Sequence, residues 1–107
     1  MIVNSNSGGG RVLVKRTSQE VRICVKGAFT HSLRQEFREA YYTYPSSAHY
    51  VLDLSEVSMM DSSAMGMLLI LRKHAGDDKA DITLANLPPR LLNLIKMSGM
   101  QKIFELA

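Results

Sequence analysis

The stretch Tyr50-Val51-Leu52-Asp53-Leu54 narrows the possible folds of this chain more than any other. It is a nearly continuous apolar run with one acid inside it, and it follows a segment of helical periodicity. A strand with one wet face alternates apolar and polar residues, whereas a near-continuous run marks a buried central strand. Its place between helical segments implies crossover connections, and so parallel neighbours in a sheet.

The flanking patterns fill in that sheet. Val12 and Val14 alternate with Arg11, Leu13 and Lys15. After a turn at Thr17-Ser18-Gln19, Val21, Ile23 and Val25 alternate with Arg22, Cys24 and Lys26, which predicts a hairpin closed by Gly27. Thr30 can cap a helix whose Leu33, Phe37, Ala40, Tyr41 and Tyr44 form one apolar stripe, ending before Pro45. Asp61 offers a second cap, for an apolar helix from about Ser62 to His74. Gly76-Asp77-Asp78 reads as a turn and Ile82-Thr83-Leu84 as a strand. Pro88 and Pro89 open a last helix with Leu91, Leu92, Leu94 and Ile95 on its buried side, and Ser98-Gly99 ends it. Ile103-Phe104 is a final hydrophobic anchor. The predicted order is β-β-α-β-α-β-α, an α/β domain with a mixed four- to five-stranded sheet and three to four α-helices.

At 107 residues the chain is one domain, assigned to 11–107. Residues 1–10 end in Ser7-Gly8-Gly9-Gly10 and read as a flexible tail. With 46% hydrophobic and 21% charged residues, the composition is that of a folded globular domain. The longest apolar run, Ala64 to Leu71, is eight residues; a membrane span needs about 20. No membrane insertion and no signal peptide are expected, and a cytoplasmic location fits. The single cysteine, Cys24, cannot form an internal disulfide and reads as a plain thiol on a polar sheet face. The net charge is +3, the 13 basic residues are scattered and Trp is absent. A nucleic-acid binder would show a basic stripe with interleaved aromatics, so no direct nucleic-acid partner is expected.

Enzyme signatures are missing. There is no Gly-x-Ser-x-Gly elbow, no Walker loop and no Gly-x-Gly-x-x-Gly after a strand. His31, His49 and His74 are far apart and lack metal-ligand spacing, and His74 is accounted for by a helix C-terminus. No catalytic residue, metal or cofactor is expected, and no base stands at a spacing that would make Ser62 a hydrolase nucleophile.

The dense stretch is Met59-Met60-Asp61-Ser62-Ser63-Ala64-Met65-Gly66, where a buried strand leads into a helix start. Its ordinary role is N-cap chemistry. Three consecutive small polar residues exceed what one cap needs, and the surplus hydroxyls sit where potential is positive and a phosphate would be accepted. If Asp61 is the N-cap, Ser62 is the first helical residue and lies at the exposed rim. Six of the seven methionines (Met59, Met60, Met65, Met67, Met97 and Met100) flank this stretch or the Met97-Ser98-Gly99-Met100 helix end. They serve equally as a core or as an adaptable docking surface.

Leu52-Asp53-Leu54-Ser55, Met60-Asp61-Ser62-Ser63-Ala64-Met65-Gly66, Pro89, and Met97-Ser98-Gly99-Met100 with Lys102-Ile103-Phe104 together resemble a STAS domain, of the stand-alone bacterial anti-sigma-factor antagonist type. The resemblance runs from about Arg11 to the end. It implies a STAS-like mixed sheet and a non-enzymatic switch that binds an anti-sigma factor when unphosphorylated. The serine after the Asp would be phosphorylated by an ATP-dependent serine kinase, often the anti-sigma factor itself, and restored by a PP2C-type phosphatase. That serine is Ser62, with Ser63 as runner-up. The partner-binding surface would comprise Met60, Asp61, Ser62, Ser63, Met65, Met97, Ser98 and Gly99. Ala64 stands where the family usually has Gly, and Thr30 where an Asp commonly follows the turn. A STAS accessory subunit of a lipid-transport ABC complex is the alternative that the resemblance also admits.

Overall fold

The computed structural model describes the backbone of residues 2–3 and the whole of residues 10–107. The strands are β1 (Ile2–Val3), β2 (Arg11–Arg16), β3 (Glu20–Phe29), β4 (His49–Met60), β5 (Ile82–Ala85) and β6 (Glu105–Leu106). The helices are α1 (Arg34–Glu39), α2 (Ser62–His74) and α3 (Pro89–Ser98). Of the segment expected to be a tail, Ile2–Val3 pairs with β2 and Gly10 is buried; the rest lies outside the described residues.

The strands form one sheet in the order β1-β2-β3-β4-β5-β6. β1 to β3 are antiparallel, and β3 to β6 are parallel neighbours, so the sheet is mixed as expected. The register sets Val14 opposite Ile23, Ile23 opposite Leu52 and Leu52 opposite Leu84, one apolar row across four strands. Ile23, Leu52 and Leu84 are fully buried, and each such side chain contributes about 1.5–3 kcal/mol. Phe37, Leu68, Leu71, Leu91 and Ile95 from the helices join the same core as this row. The period-2 alternation sends Arg22, Cys24, Lys26 and Asp53 to the opposite, half-exposed face.

The short edge strands β1 and β6 raise the expected four or five strands to six, and three further elements depart from expectation. β3 does not stop at Gly27; that glycine takes φ 79° within a register shift, and the strand runs on to Phe29. β4 is twelve residues rather than five. Its polar second half, Ser55-Glu56-Val57-Ser58, lacks alternation but stays extended because the prolonged β3 runs beside it, pairing Gly27 with Val57 and Phe29 with Met60. The first helix is shorter than its apolar stripe. His31–Leu33 forms a 3₁₀ turn, α1 ends at Glu39, and an i→i+3 bond from the Tyr44 N–H to Tyr41 closes a turn beyond it. Thr30 does not cap; its hydroxyl pairs with the Ser32 hydroxyl at 3.1 Å. Phe37 and Tyr41 are nonetheless buried, with Phe37 stacked obliquely on Phe29 at 5.2 Å.

Candidate functional site

β4 delivers the chain to α2 through one residue. Asp61 is extended (φ −112°, ψ −176°), and its Oδ1 accepts the Ala64 N–H at 3.0 Å. Asp61 is therefore the N-cap, as the sequence predicts, and its carboxylate faces the positive end of the helix. Ser62 follows as the first helical residue and is exposed, while Ser63 is half-buried. Asp61 supplies the side-chain cap, so neither serine hydroxyl is needed for that bond. Ser62 thus presents a solvent-facing hydroxyl beside helix N–H groups that have no partner within the helix.

The methionines divide. Met60, Met67 and Met100 are core residues, each no more than 7% exposed, and Met65 packs partly against the core. Met59 and Met97 are open, at 46% and 84% exposure. Met60 therefore fills the core under the site instead of offering surface to a partner.

The second expected cluster lies elsewhere. Arg90, in the first turn of α3, donates to the Ser58 carbonyl at 2.6 Å, which places the start of α3 beside the end of β4. A ten-residue helix then carries the chain about 15 Å away. Its far end meets the opposite end of β5, where Gln101 and Lys102 share a cleft with Ala80 and Ile82. There Gly99 takes the left-handed cap (φ 80°) and the Ser98 hydroxyl donates to the Ile95 carbonyl at 2.8 Å. Met97, Ser98 and Gly99 are thus separated from Asp61–Ser63 by the length of α3, and the Ser98-Gly99 pair finishes a helix.

Two of the three histidines lie against polar neighbours. His49 Nδ1 lies 2.8 Å from the Asp81 carboxylate, and His74 Nε2 lies 2.9 Å from the Tyr44 carbonyl. Among the described residues no group of three or more His, Cys, Asp or Glu is placed to hold a metal. Asp53, the acid inside the central run, faces the open side of the sheet. Burial pushes its pKa up, but the Ser55 N–H, the Ser55 and Asn86 side chains and the Arg22 guanidinium outweigh that and hold it below the ordinary carboxylate value. Burial, and then the Asp53 charge, push the Cys24 thiol up and outweigh the nearby Arg22, Lys15 and Lys26 cations, so the thiol is not activated.

Sequence reasoning missed Arg90, whose partner is 32 residues away. It also passed over Leu69 and Ile70, which stand 46% and 57% exposed on α2. A signal for the latter was present: eight consecutive residues from Ala64 to Leu71 cannot all face one side of a helix that turns about 100° per residue.

Residues 12–106 match the family described as Mlab, STAS domain. A STAS-domain containing protein of Pseudomonas aeruginosa is 39% identical over 90 residues, covering 83% of this chain and 89% of that protein. An anti-sigma-B factor antagonist of Listeria monocytogenes is 29% identical over 94 residues, covering 86% and 82% respectively. The Bacillus cell-fate determinant SpoIIAA in its phosphorylated form superposes with a TM-score of 0.63 at 20% identity, covering 90% of each chain. The chain belongs to the STAS domain family, and its compared relatives include anti-sigma factor antagonists. Among the described residues no helix is long and apolar enough to cross a membrane.

Proposed function

We propose that this protein is an anti-sigma factor antagonist controlled by phosphorylation of Ser62. Unphosphorylated, the surface around Asp61, Ser62, Ser63 and exposed Met59 binds an anti-sigma factor that is also an ATP-dependent serine kinase. Phosphorylation releases the partner, and a PP2C-type phosphatase resets the switch. The observation that carries this reading is the exposed Ser62 hydroxyl at the first position of α2, with capping already done by Asp61. The relatives named as anti-sigma-B factor antagonists support it.

The energetics suit a surface switch. A phosphoserine adds about −1.5 to −2 charges at pH 7. The helix N-terminus offers back about 0.3–1 kcal/mol per exposed charge, and Asp61 repels, so α2 stays folded and the surface changes. Burying that dianion unpaired against a partner costs several kcal/mol, and each 1.4 kcal/mol is tenfold in affinity.

The test is affinity purification of the wild-type chain and Ser62→Asp from the source cells. Wild type should retain a serine kinase or anti-sigma protein, and Ser62→Asp should retain about tenfold less, a loss of about 1.4 kcal/mol. Recovery of an ATPase and a permease, with no kinase, would replace this reading by the accessory-subunit one.

A further inference from the structure

A groove of ≈ 440 Å³ lies between α1 and α2, on the helical side of the sheet. Phe37, Tyr41 and Met67 form its floor, each buried, while Arg34, Arg38 and Ile70 form its walls. Its lining residues on α2, Met67 and Ile70, are five and eight residues beyond Ser62, about 7.5 and 12 Å along the helix axis. The groove is thus distinct from the Ser62 surface.

We propose that this groove is a second docking surface whose occupant is an acidic amphipathic helix of a partner protein. The first argument is charge. No acidic side chain lines the groove, and two guanidiniums do. Arg38 is held over the Tyr42 ring at 5.1 Å, and exposed Lys73 follows Ile70 by one turn. Of the two acids on α1, Glu39 is engaged by the Gln35 amide at 3.2 Å and Glu36 does not line the groove. Such a surface selects acidic partners and speeds their approach.

The second argument is shape. The apolar surface does not stop at the groove: Ile70 on its wall is 57% exposed, and Tyr42, under the Arg38 guanidinium, is 53% exposed. A small ligand would be 70–90% enclosed in its site, whereas here much of the apolar surface stands outside the cleft. The trough is framed by two helices, and a third helix fits such a trough by setting its ridges into the groove. Its apolar residues at i, i+3, i+4 and i+7 would cover Phe37, Met67 and Ile70, with its acidic flank against Arg34 and Arg38.

The test uses the full chain labelled with ¹⁵N and a designed helical peptide of about 18 residues, above the marginal length for helicity. The peptide carries Leu on one face and Glu on the other; a counterpart has Lys for every Glu. The acidic peptide should shift the amide signals of Arg34–Tyr41 and Met67–Ile70, and the basic counterpart should not. Arg34→Glu with Arg38→Glu, and separately Ile70→Ser, should each weaken binding about tenfold, or 1.4 kcal/mol. Ser62→Asp should leave it within about twofold, which separates this surface from the switch. Equal binding of the two peptides, or no shifts in α1 and α2, overturns the proposal. So does occupation of the groove by decanoate or by phosphatidylglycerol vesicles when the acidic peptide does not bind.

Discussion

The Arg90 guanidinium donates to the Ser58 carbonyl at 2.6 Å, joining the first turn of α3 to β4 only four residues ahead of Ser62. β5 ends at Ala85, opposite Asp53, so the last seven residues of β4 extend past it. On that side Arg90 supplies a tie that β5 no longer provides.

Arg90→Ala should therefore loosen the end of β4. Arg90 is exposed, so the net cost is about 0.5–1 kcal/mol, the lower part of the range for one ordinary hydrogen bond. Hydrogen exchange should show faster exchange at Val57–Met60 and unchanged protection at Tyr50–Leu54. Uniform loss across β4 would mean that Arg90 supports the whole fold rather than this segment.

Asp61→Ala removes the acceptor for the Ala64 N–H. Losing such a cap costs about 1 kcal/mol. Asp61→Asn keeps an acceptor and should recover most of it. Urea denaturation with both variants measures the difference; equal stability of Asp61→Ala and wild type would show that the cap is not contributing.

Ser62 and Ser63 separate by exposure. Ser62 is open, while Ser63 is one residue further round the helix and half-buried. Kinase-treated Ser62→Ala should carry no phosphate, and Ser63→Ala should still be modified, by mass spectrometry. Phosphate found on Ser63, with Ser62→Ala still modified, would move the acceptor without removing the switch.

Legibility followed how local each signal was. The Asp61 cap, the span of α2, Pro89 at the first position of α3 and the Gly99 terminus were readable because each is set by neighbours a few residues away. The length of β4 was not, since its polar half is held by the pairing of Gly27 with Val57. Proximity in the fold was the hardest part. Met59 and Met97 look alike in the sequence, yet α3 stands between them, and the burial of Met60, Met67 and Met100 depends on packing rather than residue type.

Gly66 lies inside α2, and a Cβ built there meets no heavy atom within 4 Å beyond its chain neighbours and the backbone of its own helix. Gly in a helix interior is about 0.8–1 kcal/mol less favourable than Ala. Gly66→Ala should raise stability by about that amount in urea denaturation. Gly99→Ala should lower it, because φ 80° suits only Gly without strain. If Gly66→Ala destabilises, α2 must close against something nearer than the described surface.

Cys24 and Asp53 are paired neighbours on β3 and β4, and their protonation is coupled through the open sheet face. The folded-state pKa of Asp53 is depressed, because its hydrogen bonds and Arg22 outweigh the upward push of burial. Its stabilising contribution is therefore present above the ordinary carboxylate pKa and is lost as pH falls through the depressed value. Asp53→Asn should flatten this part of the acid denaturation curve. The same variant removes one of the two causes that raise the Cys24 thiol, burial being the larger. At a fixed pH near 8 the wild-type thiol should react with iodoacetamide more slowly than free cysteine, and Asp53→Asn should speed it without reaching the free rate. An unchanged rate in Asp53→Asn would show that the Asp53 charge has no hold on the thiol.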